Sequence, residues 1–338
     1  MKSKRGILFF RKNICVSGFA SVVGQREGKG PLKEYFDLIL KGHMFLEKTY
    51  ERAESKLQKI AVIKSMQKAN LTGDEIDAIF GGDLLNQCIG TSYGVKELKI
   101  PLVGLYGACS TLAESILVAA SFIESEFFER TISVTSSHFC AAERQFRFPI
   151  EYGSQRNKTS QWTVTGAGSV LLEEGNKNDE KIFVRAGVIG KIVDFGIKDI
   201  NNMGAAMAPA AADTILRFFE VTNSSYVDYD LILTGDLGAV GTIAFLEILK
   251  RKGIELGKKH EDCGLLIYDE KDREIESGGS GAGCCASVLT SYVLNRMKEK
   301  EIKRVIFIAT GALMSKTSNQ QGETIPSIAH LVFFEGED

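Results

Sequence analysis

The tripeptide Ala108-Cys109-Ser110 holds the residue best placed in this chain to do chemistry. The run from Ile100 to Tyr106 ahead of it reads as a buried strand, and Gly107 breaks it. From Ser110 onward, Leu112, Ser115, Ile116, Ala119, Ala120 and Ile123 recur at helical spacing. Cys109 is therefore expected on a strand-to-helix elbow, close to unpaired N–H groups and the positive end of a helix. Such a place lowers a thiol's pKa and favours the thiolate. A nucleophile there can do acyl chemistry, and the same elbow can simply hold an anion. The plain alternative is a small residue that fits a tight turn.

The elements that must hold this elbow occur twice. Asp77-Ala-Ile-Phe-Gly-Gly-Asp83-Leu84 recurs as Asp230-Leu-Ile-Leu-Thr-Gly-Asp236-Leu237. Each copy follows a helix-like segment (Tyr50 to Asn70; Ala210 to Val221) and leads into another (Tyr93 to Leu98; Ile243 to Lys250). The strand Arg130-Thr-Ile-Ser-Val-Thr-Ser136 has its counterpart in Arg304-Val-Ile-Phe-Ile-Ala-Thr310. Ser169–Glu174 and His330–Glu335 close the two sets. One matching octamer arises by chance in α/β proteins. Four landmarks in one order argue for duplication, with halves at residues 1–175 and 176–338. Alternating strands and helices imply a mostly parallel sheet with helices on its faces, and two such halves give a layered αβαβα sandwich. Ligands then gather at strand C-termini where the halves meet.

Composition narrows the class. The 338 residues are 44% hydrophobic and 25% charged, as in a soluble globular protein. A net charge of −2 gives no sign of nucleic-acid binding. No run of about 18 apolar residues is present to span a membrane. The segment from Met1 to Phe10 is too short for a signal peptide. The seven cysteines show no paired metal spacing and are expected as reduced thiols in a cytosol-like compartment. Cys284 and Cys285 read as small core residues at a helix start. Gly278-Gly-Ser-Gly-Ala-Gly283 lacks the Lys-Ser/Thr ending of a phosphate loop, so close backbone packing explains it better.

A duplicated α/β half with a cysteine on the first elbow resembles the thiolase superfamily, which includes thiolases and ketoacyl synthases. Within it, the chain resembles the stage V sporulation protein AD family of spore-forming bacteria over nearly its whole length. The strings that carry this are Gly82-Asp-Leu-Leu-Asn-Gln87, Gly107-Ala-Cys-Ser-Thr111, Thr135-Ser-Ser-His138, Ala142-Glu-Arg-Gln-Phe-Arg147, Met207-Ala-Pro-Ala-Ala-Ala-Asp-Thr214, Leu233-Thr-Gly-Asp-Leu237, Lys259-His-Glu-Asp-Cys-Gly264, Gly278-Gly-Ser-Gly281 and Ala309-Thr-Gly-Ala-Leu313. The resemblance implies a thiolase-like fold and binding of dipicolinic acid. Calcium would enter with it as the chelate, and no other cofactor is implied. It also implies help in moving that ligand into the developing spore beside other stage V membrane proteins. The expected location is cytoplasmic or peripheral at the spore inner membrane, and the expected assembly is a homodimer.

The superfamily's catalysts carry a His just past the strand written here as Asp230–Thr234, and an Asn or a Gly-His-Pro string in the next loop. This chain has Gly235 and Asp236 at the first place and Gly278–Gly281 at the second. Of the four histidines, His260 lies between these places and is the weak candidate base for Cys109. Losing a positioned acid–base group lowers rates by about 10²–10⁴-fold. The expectation is a non-catalytic binder, and the alternative is an acyltransferase of the thiolase or ketoacyl-synthase type using Cys109.

A planar dicarboxylate wants hydroxyls, N–H groups, cations and an apolar slot. The expected ligand residues are Cys109, Ser110, Ser136, Ser137, His138, Arg144, Arg147 and Ser280. Asp83, Asp236 and Asp262 are the expected oxygen donors toward calcium. Capping of turns by Asp83 and Asp236, and pairing of Arg144 and Arg147 with Glu143 or Glu151, are the bland readings of the same residues.

Overall fold

The computed structural model describes residues 6–146, 156–175, 182–269, 271–272 and 274–337. The first set of elements is β1 (Ile7–Phe9), β2 (Ile14–Val23), β3 (Leu38–Ile39), α1 (Tyr50–Lys68), β4 (Ala78–Gly82), α2 (Ile89–Val95), β5 (Leu102–Gly104), α3 (Thr111–Glu124), β6 (Arg130–Ser137), α4 (Phe139–Phe146), β7 (Trp162–Thr163) and β8 (Gly166–Glu174). The second is β9 (Ile182–Val188), α5 (Met203–Thr222), β10 (Leu231–Thr234), α6 (Gly238–Lys250), β11 (His260–Asp262), α7 (Cys263–Leu266), β12 (Gly279–Ser280), α8 (Ala282–Val288), α9 (Leu294–Lys298), β13 (Arg304–Ala312), α10 (Lys316–Gln320) and β14 (Ser327–Gly336). A π-helical turn, Leu289–Val293, joins α8 to α9.

The sheet order runs β5-β4-β6-β8-β2, then β9-β14-β13-β10-β11. The order on one side of the β2–β9 junction mirrors the order on the other. In each set the first strand lies antiparallel to the last, and the two inner strands run parallel.

The repeated octamer explains part of this. Asp77 Oδ2 accepts from the N–H groups of Glu129 and Arg130 at 2.7 and 2.9 Å. Asp230 Oδ2 accepts from Lys303 and Arg304 at 2.8 and 2.9 Å. In both halves one aspartate pins the start of the next parallel strand. A capping box precedes each, Thr72 with Glu75 and Ser225 with Asp228.

Three helical layers sandwich the strands. The central layer is α3 with α8 and α9. Leu112, Ile116, Ala120 and Ile123 of α3 and Cys284, Val288 and Leu294 join Phe80, Val170, Phe307 and Phe334 in one buried cluster. On one outer face α1 sets Val62 and Met66 against Ile79, Ile132 and Val134. On the other, α5 and α6 set Ile215, Phe218 and Phe245 against Ile306, Ile308 and Leu331. The expected layered sandwich is present.

The strand before the elbow corrects one expectation. β5 is exposed along its length, not buried, because it lies at the sheet edge and pairs with β4 alone among the described residues. A continuous apolar run looks the same whether a neighbouring strand covers it or not.

Candidate functional site

The elbow is stitched by its own hydroxyls. Ala108 takes a left-handed backbone, φ +53°, which turns the chain from β5 toward α3. Ser110 Oγ donates to Gly107 O at 2.6 Å, and Thr111 Oγ1 donates to Ala108 O at 2.7 Å while accepting from Gly107 N at 2.9 Å. The end of β13 presses on the turn from the other half: a Cβ at Gly311 would lie 2.2 Å from Gly107 O. Only glycine lets the two halves approach this closely.

Cys109 therefore sits where the sequence places it, beside the N-terminus of α3, but its thiol does not behave as expected. Cys109 is 8% exposed. Burial pushes its pKa well above the ordinary thiol value, and the neighbouring Asp236 carboxyl raises it further. Desolvation of the charged form outweighs the partial charge of the helix end. The expected lowering of the pKa is thus reversed.

Asp236 follows β10, the place where the resemblance leads to the expectation of a His. Its Oδ1 accepts from Thr310 Oγ1 at 2.7 Å and its Oδ2 from Gly281 N at 2.9 Å. The Cys109 thiol faces the same carboxyl. Burial pushes the Asp236 pKa up to about 7, against the lowering effect of these donors. Gly281, at φ +107°, gives the backbone turn that aims its N–H at Asp236.

His260 opens β11 away from the thiol. Thr234 Oγ1 donates to Asp262 Oδ2 at 2.7 Å, so its lone pair accepts from His260 Nε2 at 3.0 Å. The ring packs on Phe245, and burial pushes its pKa down to about 4. The group that reaches Cys109 is Asp236, not His260.

The other expected residues divide. Ser280 lines the cavity over Cys109. The Ser110 hydroxyl is held within its turn. Ser136 Oγ donates to Glu54 Oε1 at 3.1 Å, and Ser137 Oγ donates to Val164 O at 2.7 Å. His138 Nε2 donates to His43 O at 2.8 Å and stacks near Tyr50, with its pKa pushed down to about 4 by burial. These three support the scaffold rather than a ligand. Arg144 pairs with Glu51, and Glu143 takes Arg156 instead. Arg147 and Glu151 lie outside the described residues.

The three aspartates do not converge on a cation. Asp83 accepts from Leu85 N and from Thr91 N and Oγ1 at 2.6–2.8 Å. Asp262 accepts from Leu237 N at 2.9 Å and Gly238 N at 3.0 Å. Their oxygens hold turns, and among the described residues no group of His, Cys, Asp or Glu is arranged to hold a metal ion.

A cavity of about 40 Å³ stands over the thiol, lined mainly by Leu84, Tyr106, Phe146, Met203 and Met314 with Glu143 and Ser280. That is room for about one water molecule. Beyond it lies an open groove of about 710 Å³ that shares Tyr106, Phe146 and Met314 with the cavity. Its polar lining includes Asn86, Gln87, Arg144, Ser315, Lys316 and Thr317. Lys316 Nζ donates to the backbone carbonyl of Arg144 at 3.0 Å, and both residues line this groove. Sequence reasoning missed Lys316, took Glu143 only as a partner for Arg144 or Arg147, and took Thr310 only as a strand end. Only Thr310 carried a signal, as the duplicate of the Thr135-Ser136 strand end.

The fold recurs in solved structures of low sequence identity. A variant of OleA from Xanthomonas campestris solved with cerulenin is 14% identical, with a TM-score of 0.63 over 98% of this chain and all of that one. The 3-oxoacyl-(acyl carrier protein) synthase III of Xanthomonas oryzae is 13% identical, with a TM-score of 0.61 over 96% of this chain and all of that one. Stage V sporulation protein AD of Bacillus subtilis is 45% identical over 326 residues, 96% of this chain and 95% of that protein. Residues 4–335 match the family described as Stage V sporulation protein AD. The chain belongs to the stage V sporulation protein AD family and carries its function on a thiolase-like fold.

Proposed function

We propose that this chain is a non-catalytic thiolase-like protein of sporulation that binds dipicolinic acid, or its calcium chelate, and aids uptake into the developing spore. The observation that carries this reading is the carboxyl of Asp236 against the thiol of Cys109. A condensing enzyme needs an acceptor that leaves the sulfur charged. A buried carboxyl holds the proton on the sulfur instead.

The ligand seat in this reading is the open groove rather than the 40 Å³ cavity, because small-molecule pockets run to about 300–1,000 Å³. Arg144 and Lys316 face the carboxylates, and Tyr106 and Phe146 offer apolar faces to the ring. Calcium comes as cargo, held by the ligand's own oxygens. The chain works as a two-fold dimer beside other stage V proteins at the spore inner membrane, with peripheral attachment. No helix of the described residues is long and apolar enough to cross a membrane.

Titration calorimetry of the purified chain with dipicolinate, with and without calcium, tests the reading. Arg144→Ala and Lys316→Ala are each expected to weaken binding about tenfold or more, the worth of a charged hydrogen bond. An absence of heat at millimolar ligand defeats it. The alternative, an active acyltransferase, draws on the thiol at a helix start. It requires a thioester on Cys109 after incubation with acyl-coenzyme A donors, seen as added intact mass.

A further inference from the structure

Leu46 is 100% exposed, at φ +66°, directly after Phe45 at φ +51°. Two consecutive bulky residues in the left-handed region mark a strained turn held in place by its surroundings. The anchors are visible. Phe45 is buried against Val22, Ala53 and Leu57. Lys56 Nζ donates to Phe45 O at 2.9 Å, and Glu47 N donates to Met44 O at 2.7 Å. Gly42 N donates to Gln25 Oε1 at 3.2 Å, and His138 Nε2 to His43 O at 2.8 Å. The turn is thus rigid and presents one leucine to solvent.

The surroundings of that leucine are cationic. Lys41, Lys48 and Arg52 are exposed and have no ion-pair partner among the described residues. Arg52 leads into a groove with Lys56, Lys59 and Lys96, in which Glu47 and Glu97 pair with Lys56 and Lys59. We propose that residues 41–52 form a membrane-contact turn, with Leu46 inserting among the acyl chains of an anionic bilayer while Lys41, Lys48 and Arg52 meet its headgroups. A single fixed apolar tip on a segment that also carries three exposed cations, none ion-paired among the described residues, fits a lipid interface. Residues 41–52 themselves expose no aromatic anchor of the kind a protein partner would use: Met44 and Tyr50 are half-buried and Phe45 is fully packed. This deepens the peripheral placement proposed above. It shares no lining residue with the dicarboxylate groove, so its failure leaves ligand binding intact, and attachment through partner proteins then remains as the route to the membrane.

Co-sedimentation of the full chain with vesicles tests this. Wild-type protein is expected to pellet with equal phosphatidylglycerol and phosphatidylcholine at low salt, to release at high salt, and to ignore pure phosphatidylcholine. Lys48→Ala with Arg52→Ala should lower partitioning about 30-fold. Leu46→Gly should lower it about tenfold while raising the melting temperature, because glycine accepts φ +66° without strain. A stabilised variant that no longer binds separates wedge from misfolding. Wild-type protein left in the supernatant with anionic vesicles overturns the proposal. So does Leu46→Gly pelleting as well as wild type, which would mean plain charge attraction, including attraction to an acidic protein.

Discussion

The thiol of Cys109 lies against the carboxyl of Asp236, and the fold keeps both out of water. Burial raises both pKa values, but the thiol starts from the higher one and is raised again by the carboxyl's charge. The proton therefore stays on sulfur. A buried carboxyl beside the sulfur keeps the thiol in its protonated, weakly nucleophilic form.

Alkylation reads this directly. At neutral pH, iodoacetamide is expected to modify Cys88 and Cys140, which are half-buried, before Cys109. Cys109 should lag roughly tenfold or more, since only the thiolate reacts. Peptide mass mapping over a time course measures the order. Modification of Cys109 first would restore the enzyme reading.

Asp236 also gives a signed pH dependence. Its folded pKa, about 7, is above the unfolded carboxylate value of about 3.9. The fold therefore prefers the protonated form. That contribution is complete below the unfolded value and is lost as pH rises through about 7. Asp236→Asn lacks it. Across pH 4 to 7 (thermal or urea unfolding at each pH), wild type should lose on the order of a few kcal/mol relative to the variant. Parallel curves for the two proteins would place Asp236 in an ordinary, ionised state.

Much of this architecture is legible in the sequence because the duplication is local chemistry repeated. Asp77 and Asp230 cap strand starts by the same two N–H bonds, so selection on geometry left the same letters. The elbow is legible because Gly107 ends the apolar run and helical spacing starts at Ser110, although the left-handed residue itself is Ala108, which no propensity signals. The site's electrostatics are not legible. A string shows that Cys109 precedes a helix; it does not show that the other half closes over the sulfur and removes water. The fate of His260 depends on the parallel register of β11 with β10, which sets Asp262 opposite Thr234 and spends the imidazole there. No spacing rule conveys that.

The contact between halves at the elbow should be intolerant of volume. Gly311→Ala puts a methyl group 2.2 Å from Gly107 O, and backbone cannot yield cheaply. A loss of about 2–3 kcal/mol is expected in urea unfolding, as for overpacked cores. Gly104→Ala is the control, since nothing lies within 4 Å of a Cβ there. Equal midpoints for the two variants would mean that β13 does not hold the turn.

The edge of β5 carries the expectation for assembly. Leu102, Val103, Tyr106, Ile89 and Tyr93 are all exposed along one margin of the sheet. Among the described residues β5 pairs only with β4, so a row of N–H and C=O groups faces outward beside these apolar side chains. Soluble proteins blunt such edges with charge or proline, and this one has neither within Leu102–Gly104. Pairing β5 with its own copy across a two-fold axis satisfies both the backbone and the apolar surface. Val103→Lys should then convert a dimer to a monomer in sedimentation equilibrium at micromolar concentration. Its melting curve should change little, because Val103 is 40% exposed within one chain and packs no core. A wild-type chain that sediments as a monomer, or a lysine variant that stays dimeric, would show that this edge is left open and that the pairing surface lies elsewhere.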